Sequence, residues 1–136
     1  MLRVVADTNV YVSAFNFGGA AETILRLVGR KTFLLYLSDA SAEEIEEVLS
    51  EKFGYSPAAV QVVMRKASRL TRRVARTRVR VRESAAPDDD KVLACALTAH
   101  ADYIVSGDHH LLDLHPFRRI AIVQPRRFLD LHPWED

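Results

Sequence analysis

The spacing of hydrophobic positions switches repeatedly between two periods, and the switches divide the chain into alternating strands and helices. Residues 2–6 (LRVVA) are a short apolar, β-branched run, read as a strand that ends at Asp7. A short helix over 8–14 follows, and 20–29 carries Ile24, Leu25, Leu27 and Val28 at helical spacing, closed by Gly29. Residues 33–37 (FLLYL) form a continuous apolar run, as expected of a strand covered on both faces. The spacing then predicts a helix over 38–49, with Ile45, Val48 and Leu49 on one face. A second helix over 57–75 starts at Pro57, where proline is tolerated. Strict alternation in RTRVRVR predicts a strand over 76–82 with Val79 and Val81 inward. A helix over 88–100, strands at 102–105 (DYIV) and 120–123 (IAIV), and a helix over 125–131 complete the series.

Strands that alternate with helices imply a mostly parallel sheet with helices on both faces and right-handed crossovers. No repeat, linker or low-complexity stretch interrupts 1–136, so one α/β domain is expected. Sites in such sheets lie beyond the carboxyl ends of the strands. Asp7 and Asp108 each follow a strand and emerge there. Glu44 and Asp90 lie near the starts of helices that face the same edge.

Composition narrows the setting. Hydrophobic residues make up 49%, which indicates a folded core rather than disorder, and the net charge of +1 does not announce a nucleic-acid binder. Cys95 is the only cysteine, so neither an intrachain disulfide nor a thiolate zinc cluster can form; a reducing, cytoplasmic location is expected. No secretory signal pattern is apparent at Met1–Val5. No apolar run approaches the ~20 residues of a membrane span, so a soluble protein is expected.

The chemistry lies in the acids. Carboxylates within a few ångströms raise one another's pKa unless a cation or proton offsets them. Oxygen-only ligation suits Mg²⁺ or Mn²⁺, ions that commonly serve phosphate chemistry. Should Asp7, Glu44, Asp90 and Asp108 converge, a metal-dependent phosphodiesterase follows.

Four segments in order, VVADTNVYVSAF, SDASAEEIEEVL, PDDDKVLACAL and ADYIVSGDHHLLDL, resemble the successive motifs of PIN-domain nucleases, most of all the VapC-like toxin branch. The resemblance implies a three-layer α/β/α sandwich and a Mg²⁺- or Mn²⁺-dependent endoribonuclease. It further implies the toxin of a toxin–antitoxin pair, silenced by a cognate antitoxin and often a homodimer.

By that resemblance Asp7 is a direct metal ligand; its alternative is a helix cap. Glu44 matches the second acid, although Ser41-x-x-Glu44 also reads as a capping box and Glu43, Glu46 and Glu47 lie nearby. Helical spacing sets Glu44 beside the buried stripe and leaves the other three more solvated. Asp90 is chosen from Asp88-Asp89-Asp90 by its register ahead of the helix, with Asp88 as the N-cap. A helix dipole favours all three acids even without a function. Asp108 matches the fourth acid. Ser106 could orient it or a metal-bound water, and Thr8 and Asn9 could hydrogen-bond to the ligands; each also has an ordinary turn or cap reading.

His109 and His110 are not required by the motif and read as solvated, while Cys95 reads as a buried structural thiol. Arg65, Arg69, Arg72, Arg73, Arg76, Arg78 and Arg80 form a basic run suited to a phosphate backbone. A solvated face, or a protein-binding face, is the alternative. An Asp-nucleophile phosphatase is a poor fit, because Asn9 stands where its general acid would be. The rival of a different kind is a non-catalytic PIN-like module that binds RNA or protein. The segment after Leu114, including Trp134, carries no chemical signal beyond a terminal strand and helix.

Overall fold

The computed structural model describes residues 1–75 and 87–131, the side chains of 87–89 excepted. In chain order the elements are β1 (Arg3–Ala6), α1 (Thr8–Asn16), α2 (Gly19–Gly29), β2 (Leu34–Ser38), α3 (Asp39–Glu51) and α4 (Pro57–Leu70). They continue with β3 (Arg72–Val74), α5 (Pro87–Thr98), β4 (Tyr103–Val105), α6 (His109–Leu112), β5 (Ala121–Val123) and α7 (Pro125–Leu131).

Alternation along each strand divides the side chains between two cores. Val4, Ala6, Leu35, Leu37 and Val105 join one cluster with residues of α1 to α4 and Phe128 of α7. Val5, Ile104 and Ile122 join the other, formed mainly with Val92, Leu93, Cys95 and Ala96 of α5. Helices therefore cover both sheet faces, a three-layer α/β/α sandwich. The strand order is β3-β2-β1-β4-β5, and every pairing is parallel.

This order fixes where a site can form. From β1 the chain steps outward to β2 and β3 through helices on one face. It then returns across β2 and β1 to β4 through α5 on the other face, as right-handed crossovers require. The switch in direction falls between β1 and β4, and in such sheets ligands bind beyond the carboxyl ends of the strands at that point. Asp7 and Ser106 are the first residues past those two strands, and the Asp7 N–H donates to the Val105 carbonyl at 3.1 Å.

Local signals explain most boundaries. Ser56 caps α4 by accepting the Ala59 N–H at 3.1 Å, with Pro57 in the first turn. Phe128 packs edge-on against Phe33 and Tyr103 at centroid separations of 5.2 and 5.3 Å, pinning α7 to the sheet.

Four expectations change. The helix expected over 57–75 ends at Leu70, and Arg72 and Arg73 lie on β3 instead. Thr71 turns the backbone extended, and β3 then pairs with the outer edge of β2 through Tyr36, Leu37 and Ser38. Ser41 is not the cap of α3: Ser38 is, accepting the Ser41 N–H at 3.0 Å. Asp88 is not an N-cap, because α5 begins at Pro87 and takes all three aspartates into its first turn. Nor is 33–37 evenly covered, since Leu34 and Tyr36 are only half-buried. The strand expected over 76–82 lies outside the described residues, as does Trp134.

Candidate active site

Asp7 is the centre of the arrangement. It is 5% exposed and caps α1 from an extended backbone, its Oδ1 accepting the Val10 N–H at 3.0 Å. Its Oδ2 accepts a hydrogen bond from the Ser106 hydroxyl, which has no exposed surface. Ser106 Oγ in turn accepts the Asp108 N–H at 2.9 Å, and Asp108 Oδ1 accepts the His110 N–H at 2.9 Å. One serine thus ties together the exits of β1 and β4, strands about 5 Å apart in any sheet.

The electrostatics show what gathers around this carboxylate. Burial holds the Asp7 pKa above its ordinary value of 3.8; the Ser106 and Val10 hydrogen bonds oppose the shift, and the charges of Asp108 and Glu44 add to it. Glu44 is half-buried on α3, whereas Glu43, Glu46 and Glu47 are exposed. Asp90, also half-buried, lies in the first turn of α5, one turn before Leu93 and Ala94, which are 0% and 6% exposed. Helical side chains lean toward the N-terminus, and that end of α5 faces the carboxyl edge of the sheet. Asp7 therefore feels the charges of both Glu44 and Asp108, and Asp90 shares their edge by topology.

The polar residues expected beside the acids divide. Ser106 supplies the hydrogen bond to Asp7. Thr8 is buried, Asn9 is exposed, and among the described residues neither bonds to Asp7; the Val10 N–H takes that place. Beneath the acids lies a layer that sequence pattern alone does not mark as part of the site. Cys95 is buried, and burial pushes its thiol pKa up to about 11 against the opposing influence of Ser38, as suits a structural cysteine. Tyr11, one turn after Asp7 on α1, is 1% exposed. Its position four residues on from a candidate ligand is the signal the sequence offers.

Two features lie at the rim. The Asp108 carboxylate and ring nitrogens of His109 and His110 all lie within 4.8 Å of one another, a group able to hold a cation, although both imidazoles are exposed. Arg73 bonds to Asp39 at 3.0 Å at the start of α3. With Arg65, Arg69, Met64, Gln61 and Glu46, Arg73 also lines a groove of about 420 Å³. Arg65, Arg69 and Arg72 are exposed, while Arg76 lies outside the described residues.

The donor set fits a hard divalent cation: a buried carboxylate destabilised by two neighbouring carboxylates is what bound positive charge would relieve. No helix among the described residues is long and apolar enough to cross a membrane. Comparison with curated proteins gives no match. Residues 3–110 match the PIN domain family, whose members are generally nucleases that use divalent metal. That span holds all four acids and four of the five described strands, and the chain belongs to the PIN domain family.

Proposed function

We propose that this chain is a metal-dependent endoribonuclease that hydrolyses RNA phosphodiester bonds. As its motif resemblance implies, it would be the toxin of a toxin–antitoxin pair, held silent by an antitoxin and working as a cytoplasmic homodimer. The observation that carries the catalytic part is the Asp7 carboxylate, buried and pressed by Asp108 and Glu44. Asp7, Asp90 and Asp108 would hold Mg²⁺ or Mn²⁺, with Glu44 binding directly or through water. The bound ion supplies a water of lowered pKa and stabilises charge on the attacking and leaving oxygens.

The chain's own residues do the rest. The Ser106 hydroxyl and Val10 N–H fix the Asp7 carboxylate, and the Ser106 oxygen fixes the Asp108 backbone, so two candidate ligands keep one relative placement. Arg65 and Arg69, exposed on α4, offer sequence-independent contacts to an RNA backbone. The test is cleavage of a mixed RNA pool with Mn²⁺ or Mg²⁺, against EDTA and an Asp7→Asn/Asp90→Asn double variant. Metal-dependent cutting that the double variant lacks supports the nuclease. Folded, antitoxin-free protein that cuts no RNA, structured RNAs included, would favour a non-catalytic binding module.

A further inference from the structure

Among the described residues, four that are not glycine hold a left-handed backbone: Lys31 (φ 60°), His100 (φ 55°), Arg118 (φ 44°) and Arg119 (φ 71°). That region crowds a side chain's Cβ, and glycine or asparagine fills it at less cost. All four residues are basic, and all lie in the turns that lead into β2, β4 and β5. In a parallel sheet those turns share the amino edge, opposite the acidic centre.

Helix ends account for two of them. Lys31 and His100 follow the ends of α2 and α5, where their N–H groups donate to the Val28 and Leu97 carbonyls at 2.9 and 3.2 Å, and a helix dipole favours a cation there. Arg118 and Arg119 follow no helix end so closely. They are the central residues of a tight turn whose flanks, Phe117 and Ile120, exchange backbone hydrogen bonds of 2.9 and 2.7 Å. Positive φ at both centres is type I′ geometry, for which Asn-Gly is the usual pair. Two exposed arginines in that place are a strain the fold does not need, and such strain gathers at functional positions. The Arg118 guanidinium stands 5.2 Å from the centre of the Phe117 ring, a stacking that holds a planar donor fork suited to phosphate.

Charge along this edge is one-sided. Arg30 and Lys31 precede β2, Arg3 opens β1, and Arg118 and Arg119 precede β5; all are exposed. In the stretches 1–3, 30–33, 99–102 and 117–120 the single acid is Asp102, whose carboxylate accepts the Arg3 backbone N–H at 2.8 Å. From β2 to β5 is three strand spacings, about 14 Å. A row of exposed cations of that length suits the repeated charge of a phosphate backbone. The outermost strand, β5, is three residues long, about 10 Å, so one RNA strand passing its flank reaches from this edge to the acidic centre.

We propose that the amino edge of the sheet is a second RNA-binding site, where Arg118 and Arg119, with Lys31 beside β2, hold the phosphate backbone away from the point of cleavage. The inference rests on the RNA-cleaving reading above and adds to it an anchor for the substrate.

The experiment compares wild type with Arg118→Asn/Arg119→Gly, which installs the usual type I′ pair. Melting, and salt titrations of affinity for a mixed-sequence single-stranded RNA, are both measured in EDTA. The variant is expected to melt at the wild-type temperature or above it, because the strain is gone. Its RNA dissociation constant is expected to rise on the order of tenfold at about 0.1 M salt, and its salt slope to fall by about 1.4, or about 0.7 for each of two phosphates. A merely structural turn would move the melting temperature alone. Unchanged affinity and slope, or a variant that melts lower, overturns the anchor, while metal-dependent cutting by wild type leaves the nuclease standing. Loss of binding to poly-glutamate with RNA affinity kept assigns the edge to an acidic protein segment and overturns it as an RNA site. Wild type that binds no RNA overturns the anchor and the RNA-cleaving reading together.

Discussion

Replacing Ser106 by alanine tests the acidic centre at the point where its two halves join. The substitution deletes one buried oxygen and leaves no large cavity, so the missing hydrogen bonds set its cost. The bond to an ionised carboxylate is worth about 1.5–3 kcal/mol, and the Asp108 N–H forfeits an acceptor worth about 1 kcal/mol. Asp108 is half-exposed, so water recovers part of the second penalty. A total of about 2–4 kcal/mol corresponds to a fall in melting temperature on the order of 10 °C for a chain of this size.

The pH dependence makes the prediction specific. Asp7 titrates above 3.8 in the folded protein, and the Ser106 hydrogen bond is the largest influence that lowers it. Stability tied to such an acid is intact below the unfolded pKa and is lost as pH rises through the folded one. Removing Ser106 moves the folded pKa further up, so the variant loses more than wild type over that rise. As pH falls and Asp7 takes up its proton, the deleted bond becomes one to a neutral carboxyl, and the deficit should shrink to roughly half. Melting curves of both proteins in EDTA from pH 4 to 8 measure the difference, in which the other acids largely cancel. A deficit that stays constant with pH would show that Ser106 does not serve an ionised Asp7.

Three further outcomes are expected. Asp90→Asn should abolish metal-dependent RNA cleavage with the melting temperature kept, since Asn suits a helix start, whereas Asp89→Asn should cost far less; equal loss of cleavage in both, assayed side by side, refutes the choice of Asp90. Mn²⁺ at one hundred times its dissociation constant should stabilise wild type by about 2.7 kcal/mol and Asp7→Asn by much less, read as thermal shifts. Arg65→Ala and Arg69→Ala should each weaken RNA binding and lower the salt slope by about 0.7 for every phosphate no longer neutralised, while Arg73→Ala does less because its guanidinium already bonds to Asp39; salt titrations of RNA affinity check this.

Much of this arrangement was legible because local pattern and global fold agree. LRVVA ending at Asp7 and DYIV leading into SGD each fix a strand exit, and neighbouring parallel strands bring those exits together whatever the distant sequence does. Glu44 was separable from its neighbours by helical phase, because Ile45 and Leu49 are wholly buried at 0% exposure. The α4–β3 boundary was not legible for the opposite reason. Leu70 and Val74 satisfy a helical i, i+4 spacing as well as they satisfy a break between them. What decides is the open edge of β2, a tertiary demand that no local window contains. The cap of α3 was misplaced similarly: serines at 38 and 41 are chemically equal, and only the end of β2 selects the first.

Tyr11 shows a subtler limit. In sequence it counts as one more large residue on the buried face of α1, and burial is indeed its fate. The ring belongs to the core and carries with it a buried hydroxyl that has no hydrogen-bond partner among the described residues, so a hydrophobicity pattern records only half of the residue. The same division governs the whole site. Val10 and Ile45 hold α1 and α3 against the sheet, and that apolar packing brings Asp7 and Glu44 into mutual repulsion. Hydrophobic burial thus supplies the free energy that keeps the carboxylates together before any cation arrives. A centre built this way is pre-shaped for positive charge, because a cation would relieve repulsion that folding has already imposed.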